Sequence, residues 1–267
     1  MLNVVITGSS KGIGFGLARE FASRGHNVML TGSSQASVDA ALAKMADSNP
    51  TGRVEGTACD VSQAEQVQQL WNAALASFGS VDIWVNNAGL ARTIWPIVDT
   101  PDDQIAQMIS SNLLGTTLGS KVAVRGMLTQ GHGKLFNMLG GGSDGEYFPG
   151  MGVYGATKRG MDYLTRALVK ENKDSSLIIA RVRPGMIITE GVIREIEADR
   201  ANFEKSRKTM NVLCDTIETV APFLVDEMLK CDKSGSKIAW LSGGKIGKRM
   251  LMARFKPVPD KFEAFGL

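Results

Sequence analysis

Thr7-Gly8-Ser9-Ser10-Lys11-Gly12-Ile13-Gly14 follows the apolar run Val4-Val5-Ile6 and opens a helical pattern over residues 14–24. Glycines at 8, 12 and 14 permit a tight turn and let a ligand approach the backbone closely. The first N–H groups of a helix have no partner inside it, and with the helix dipole they attract an anion such as a pyrophosphate. The spacing is G-x-x-x-G-x-G, and alone such a segment is as readily a mere tight turn as a phosphate cradle. Its position after the first strand of an alternating pattern favours the cradle. Gly8, Ser10, Lys11, Gly12, Ile13 and Gly14 are therefore candidate cofactor-binding residues.

Outward from this turn, short apolar runs alternate with helical stretches. Residues 4–7, 28–31, 83–86, 135–138, 177–182 and 238–241 read as strands, with a further one within 53–58. Several are apolar on successive residues, as parallel strands covered on both faces are. Helical patterns cover 14–24, 36–46, 63–78, 102–130, 154–170 and 216–230. This alternation predicts an α/β fold, a doubly wound parallel sheet flanked by helices and joined by right-handed crossovers. No repeat or linker divides it, so one domain is expected over residues 1–242. Residues 185–211 form a long insertion that mixes Met186, Ile187, Ile188 and Ile193 with charges, as a substrate lid or a surface excursion would. Residues 243–267 are a basic, apolar tail, suited to lying on lipid or to packing against a subunit.

The chain has 267 residues, enough to bury a full core without disulfides or metals. Its net charge of +3 gives no case for a nucleic-acid partner. Cys59, Cys214 and Cys231 stand apart, with no C-x-x-C pair, and there are only two histidines, so no metal site is expected. The cysteine pattern suits a reducing compartment. No run reaches the roughly 20 apolar residues of a membrane span. No basic n-region or cleavage site precedes the first strand, so a cytoplasmic location is expected.

Two further motifs carry chemistry. Asn86-Asn87-Ala88-Gly89 ends the fourth strand, where Asn side chains can bond neighbouring strands and the Gly leaves room for a planar ring; taken alone it reads first as a strand-end Asx turn. Tyr154-Gly155-Ala156-Thr157-Lys158 opens a helix, and the i,i+4 spacing sets phenol and ammonium on one face. A nearby cation favours phenolate, which makes Tyr154 a candidate general acid/base. In isolation the same spacing describes a surface Tyr–Lys pair.

In order and spacing, the three motifs together resemble the short-chain dehydrogenase/reductase family over roughly residues 1–242. The resemblance implies a Rossmann-type fold, a nicotinamide cofactor and assembly as homodimers or homotetramers. By position, Gly8, Gly12 and Gly14 would hold the diphosphate, and Asn87, Ala88 and Gly89 would support the nicotinamide side. Tyr154 would exchange the proton, while Lys158 would bind the ribose and lower the Tyr154 pKa. Asp60 and Val61 match the adenine-contacting pair, although Asp60 alone reads as a helix cap. Asn112 matches the helix residue that holds a relay water, and Pro184, Gly185 and Thr189 match the segment that bonds the carboxamide. No acid follows the second strand, where Thr31-Gly32-Ser33-Ser34 stands. With Ser33, Ser34 and Lys11 as partners for a 2′-phosphate, NADP(H) is expected, NAD(H) remaining open; Ser34 could instead cap the next helix.

One position departs from the family pattern. A Ser is usual thirteen residues before the Tyr, where this chain has Gly141; the nearest Ser, Ser143, is eleven before. Either the run Gly140-Gly141-Gly142 bulges and brings Ser143 to the same place, within hydrogen-bond reach of the Tyr154 hydroxyl or of a shared substrate oxygen, or the group is lost. Phe136-Asn137-Met138, Gly140-Gly141-Gly142-Ser143-Asp144-Gly145, Tyr154 to Arg159, Met127-Leu128-Thr129-Gln130 and Arg183-Pro184-Gly185-Met186 are similar to the chlorophyll(ide) b reductase branch, whose members reduce a ring formyl group. The expectation is an enzyme that moves hydride between NADP(H) and an apolar carbonyl or alcohol, with catalytic Tyr154, Lys158, Ser143 and Asn112. The alternative is a dinucleotide-binding sensor or scaffold without catalysis.

Overall fold

Val4, Val5 and Ile6 are fully buried, and they divide between the two faces of a sheet. A computed structural model describes residues 1–267. β1 (Asn3–Ile6) is the middle of the winding. On one side lie β2 (Asn27–Gly32) and β3 (Val54–Ala58). On the other lie β4 (Ile83–Asn86), β5 (Lys134–Met138), β6 (Ile178–Arg183) and β9 (Lys237–Ala239). The order is β3-β2-β1-β4-β5-β6-β9, and every pair is parallel. The winding reverses between β1 and β4, where a crevice opens at the carboxyl ends of the strands.

Successive strand residues point to opposite faces, so each face has its own core. Val4 and Ile6 join a cluster with Leu17 and Phe21 of α1 (Gly12–Ser23), Val38 of α2 (Gln35–Ala46) and Leu224 of α9 (Ile217–Lys230). Val5 joins Leu70 and Trp71 of α3 (Ala64–Phe78), Trp84, and Met127 of α5 (Gly115–Gln130). The predicted sheet and flanking helices are thus present, with ends shifted by a few residues; the strand expected at 238–241 is Lys237–Ala239.

Three departures matter. The helix expected over 102–130 is α4 (Asp102–Met108), a π-helical segment Ile109–Leu114, and α5. A π turn continues the helix without breaking it, so no glycine or proline signal in the sequence marks it. The insertion at 185–211 is structured. It holds the short β7 (Met186–Ile187), paired with β8 (Cys214–Asp215), and the helices α7 (Glu190–Ala198) and α8 (Arg200–Leu213). Thr189 caps α7 by accepting from Val192 N, and Asp199 caps α8 by accepting from Asn202 N. Ile188, Ile196 and Phe203 form a third, smaller core with Phe262 and Leu267 of the tail. Finally, α10 (Gly243–Met252) forms within the tail.

Candidate active site

The glycine turn is closed by contact. Gly8 (φ +61°) lies so near Ala88 that a Cβ there would stand 2.7 Å from Ala88 Cα. A Cβ at Gly14 would stand 2.4 Å from Asn87 Nδ2. Asn87 Nδ2 donates to the carbonyls of Thr7 and Gly8 at 3.0 Å each, and Thr7 Oγ1 accepts from Asn87 N and Ala88 N. The first and second motifs are therefore one structure across the crevice. Lys11 precedes α1 without a side-chain cap, and the first turn carries no acid, so the α1 N–H groups are free to face an anion. This cradle fits a dinucleotide diphosphate.

The fourth strand is braced from beneath. Asn86 Oδ1 accepts from Trp84 Nε1, and Asn86 Nδ2 donates to Asn137 Oδ1 and Ser120 Oγ. Asn137 Nδ2 continues to Thr165 Oγ1 on α6 (Gly152–Glu171). A satisfied buried polar chain thus fixes β4, β5, α5 and α6 to each other.

Tyr154 and Lys158 lie one turn apart on α6. Lys158 is buried, its Nζ donates to Met138 O at 3.0 Å, and it stands 5.6 Å from the Tyr154 ring centre. A Cβ at Gly89 would lie 3.6 Å from this Nζ and 2.9 Å from Asn112 Oδ1, so the second motif meets the third. Asn112 is buried inside the π segment. Its Oδ1 accepts from Leu90 N, and its Nδ2 donates to Leu90 O and Thr157 Oγ1. Thr157 in turn donates to Tyr154 O. The Asn112 amide is therefore a brace between the β4 loop and the Tyr154 helix. Burial pushes the Tyr154 hydroxyl up to about 12, against the pull of the Arg183 charge, and pushes Lys158 down to about 8. Burial dominates at the tyrosine, so its net shift is upward with Lys158 Nζ 5.6 Å from the ring centre, rather than the lowering the resemblance implies.

The short-chain dehydrogenase sequence profile matches residues 2–200. The chain belongs to the short-chain dehydrogenase family. It is 35% identical over 260 residues to a protein of Arabidopsis thaliana described as "Probable chlorophyll(ide) b reductase", chloroplastic; the match covers 91% of this chain and 51% of that protein, so this chain spans about half the length of that relative. Levodione reductase has the same fold at a TM-score of 0.81, with 25% identity over 91% of this chain and 96% of that one. ElxO with NADP bound superposes at 0.77, with 26% identity over 92% and 99%. The family's cofactor is a nicotinamide dinucleotide, and its members act on carbonyl or hydroxyl groups.

Against this family frame, the glycine loop after β5 differs most. Ser143 is fully buried, and its Oγ has no hydrogen-bond partner. The expected bond to the Tyr154 hydroxyl is therefore absent. Ser143 N donates to Gly140 O, and Ser143 O accepts from Arg159 Nη1 at 3.0 Å, which fixes the backbone against α6 and leaves the hydroxyl enclosed. Gly140 approaches the tyrosine instead, and a Cβ there would be 2.2 Å from the hydroxyl oxygen. Asp144 accepts from Arg183 and from Lys237 Nζ, and Glu146 pairs with Arg183 at 2.5 Å, so an ion cluster ties this loop to β6 and β9.

The remaining predicted residues are placed as follows. Ser33 and Ser34 are exposed at the end of β2, and Ser34 Oγ accepts from Ser37 N as the α2 cap. Asp60 accepts from Ser62 N and Ser62 Oγ in a turn, and Val61 packs beside Gly115. Gly185 (φ +87°) follows Pro184 in a turn beneath Leu241, and Thr189 stands beside Gly12. Sequence reasoning missed Gly140, Asn137, Arg183 and Glu195. Glu195 of α7 accepts from Thr93 N at 2.8 Å and pairs with Arg92, holding the 185–211 segment against the loop after Gly89. No group of three His, Cys, Asp or Glu side chains could hold a metal ion.

Proposed function

We propose that this chain is an NADP(H)-dependent reductase that converts a carbonyl on a largely apolar molecule to an alcohol. The observation that carries the proposal is the meeting of the three motifs, in which Lys158 Nζ and Asn112 Oδ1 both border Gly89 while Tyr154 stands one helical turn from Lys158. Gly8, Gly12, Gly14 and the α1 N-terminus hold the diphosphate; Ser10, Lys11, Ser33 and Ser34 receive the adenosine phosphate, with Asp60 and Val61 nearest the base. Asn87, Ala88, Gly89, Pro184, Gly185 and Thr189 surround the nicotinamide side, and Lys158 turns from Met138 O toward the ribose. The bound dinucleotide supplies the hydride.

Tyr154 gives the proton to the substrate oxygen. Its high pKa keeps the hydroxyl protonated at neutral pH, the form that reduction requires. Ser143 is the second donor once the glycine loop turns its enclosed hydroxyl toward the substrate. A buried hydroxyl without a partner is costly unless something satisfies it, and a carbonyl that gains negative charge on oxygen is such a partner. Phe148 and Met151 border Gly141 next to this spot, and Trp95, Tyr147, Phe148 and Met186 are exposed large side chains, which supports an apolar substrate. A ring formyl group of the chlorophyll b type is a second reading, favoured by the Arabidopsis relative. Ile109, Leu114 and Tyr163 are exposed apolar groups along α4–α6 and support assembly with a second copy.

The test is turnover of NADPH and NADH with aldehydes, ketones and chlorophyllide b, for the wild type, Tyr154→Phe and Ser143→Ala. Tyr154→Phe is expected to lose roughly 10²–10⁴-fold in rate while still binding the dinucleotide. Ser143→Ala is expected to lose about 10²–10³-fold in kcat. No turnover by the wild type on any of these substrates, with the dinucleotide bound, would leave the sensor reading standing.

A further inference from the structure

Helix α10 faces the wrong way for an ordinary surface helix. Two of its three cations, Lys245 and Arg249, turn inward. Lys245 Nζ stands 2.9 Å from the centre of the Trp240 ring. One turn later, Arg249 Nη1 bonds Asp215 Oδ2 at 2.8 Å and reaches the carbonyls of Val212 and Leu213. No residue of α10 is buried, and its apolar side chains turn outward. Met250, Leu251 and Met252 are exposed, as is Phe255 just beyond the helix, at 79% of its surface. Exposing Leu, Met and Phe in one row is unfavourable unless something covers it.

The charge around this row shows what that is. Residues 243–258 contain five cations and no carboxylate. Lys248, Arg254 and Lys256 are exposed beside the apolar side chains. Phe255 and these last two cations also line a surface cleft of about 640 Å³ with Lys208. The acids of the cleft are occupied, since Glu204 and Asp260 both pair with Arg207. Lys208, Arg254 and Lys256 have no carboxylate partner, and they flank the protruding Phe255.

We propose that α10 and residues 253–258 form a docking surface for an anionic lipid bilayer. Met250, Leu251, Met252 and Phe255 enter the boundary between headgroups and acyl chains, and Lys248, Arg254, Lys256 and Lys208 meet lipid phosphates. A second copy of the chain is the weaker occupant. A two-fold interface lays a patch on itself, which would set this cationic row against its own image with no acid between 243 and 258 to offset it. The docking is peripheral, since no helix is long and apolar enough to cross a membrane. It involves no group placed in the candidate active site and stands or falls apart from the proposed reaction.

The experiment is flotation of the full chain with vesicles of phosphatidylcholine alone and of phosphatidylcholine with phosphatidylglycerol, at low and high salt. The wild type is expected to float with the phosphatidylglycerol vesicles, to be released by salt, and to stay behind with phosphatidylcholine alone. Leu251→Glu, and separately Lys248→Glu with Arg254→Glu and Lys256→Glu, are expected to weaken binding on the order of tenfold or more. All four positions are exposed, so melting temperature and dinucleotide binding should match the wild type. Failure to float with either vesicle overturns the proposal, as does equal flotation with both. So does a dimer in sedimentation that Leu251→Glu dissolves while wild-type vesicle binding is nil, which would assign the face to a second copy.

Discussion

The Tyr154 hydroxyl occupies the space that a side chain at position 140 would need: a Cβ on Gly140 would lie 2.2 Å from the phenolic oxygen. The tyrosine is half-buried on the first turn of α6 and its hydroxyl is the far end of that side chain, so an added methyl group displaces the hydroxyl before it moves the backbone. Gly140→Ala is therefore expected to displace the hydroxyl and lower kcat on the order of 10²-fold, the scale of a misplacement of about 1 Å. The diphosphate cradle lies on other residues, so dinucleotide affinity by titration should stay within a factor of about two of wild type. An alanine variant with wild-type kcat would mean that the tyrosine moves freely and its observed position is not the working one.

Asp144 links Arg183 and Lys237, and Glu146 holds the other end of the Arg183 guanidinium. These groups are partly screened by solvent, and a hydrogen bond to a charged group is worth about 1.5–3 kcal/mol before that screening. Asp144→Asn is expected to loosen the Ser143 loop and lower kcat/KM on the order of tenfold, mostly through KM. Arg183→Leu removes a charge that pulls the Tyr154 pKa down. The alkaline limb of the pH–rate profile for reduction should then move to higher pH. A limb that stays in place would show that Arg183 acts on loop position alone.

Lys158 titrates in the folded chain near 8, below the roughly 10.4 of an unfolded lysine. Between these values the unfolded chain binds the additional proton, so this group makes stability rise with pH from about 8 to about 10. Tyr154, raised to about 12, acts in the opposite sense only above its unfolded value near 10, where stability falls as pH rises. Urea melts of the dinucleotide-free protein at pH 8, 9 and 10 should show the wild type gaining on Lys158→Met across this window. Parallel curves for the two proteins would place the charged ammonium in a better-solvated site.

The sheet was legible because its central strands are buried on both faces and read as apolar runs, with a glycine-rich turn after the first of them. The cradle, the Asn pair and the Tyr154–Lys158 face were legible for a related reason: each depends on residues close together in the chain. What was not legible depends on contacts between distant segments. Gly140 looks like any member of a glycine run until α6 brings Tyr154 against it. The Arg183–Asp144–Lys237 cluster joins three segments with no local signature. The charged composition of residues 190–213 reads as a surface loop because the apolar partners that make it fold, Phe262 and Leu267, lie at the far end of the chain. The inward-turned cations of α10 are hidden for the same reason, since Asp215 and Trp240 receive them from outside the helix.

Phe262 is fully buried, and its ring meets Phe203 of α8 edge-on with centres 5.0 Å apart. Around it, Lys261 N donates to Asn211 Oδ1, and Arg207 holds both Asp260 and the Leu267 carbonyl. The tail thus supplies one wall of the small core under α7 and α8, a core separate from the two that sandwich the sheet. Phe262→Ala deletes most of that wall, a change that costs about 3–5 kcal/mol where a cavity is left. Because the cluster is separate, the loss should be local. In hydrogen exchange, residues 186–213 should lose protection while β1, β4 and β5 keep theirs. Thr189 and Glu195 then lose their fixed places beside Gly12 and Arg92. KM for the carbonyl is therefore expected to rise more than the dinucleotide dissociation constant, which rests mainly on the cradle. Phe262→Leu, which keeps most of the volume, should restore both protection and KM. Equal loss of protection in the sheet strands would show that the three cores unfold as one unit and that the tail supports the whole domain rather than the segment over the site.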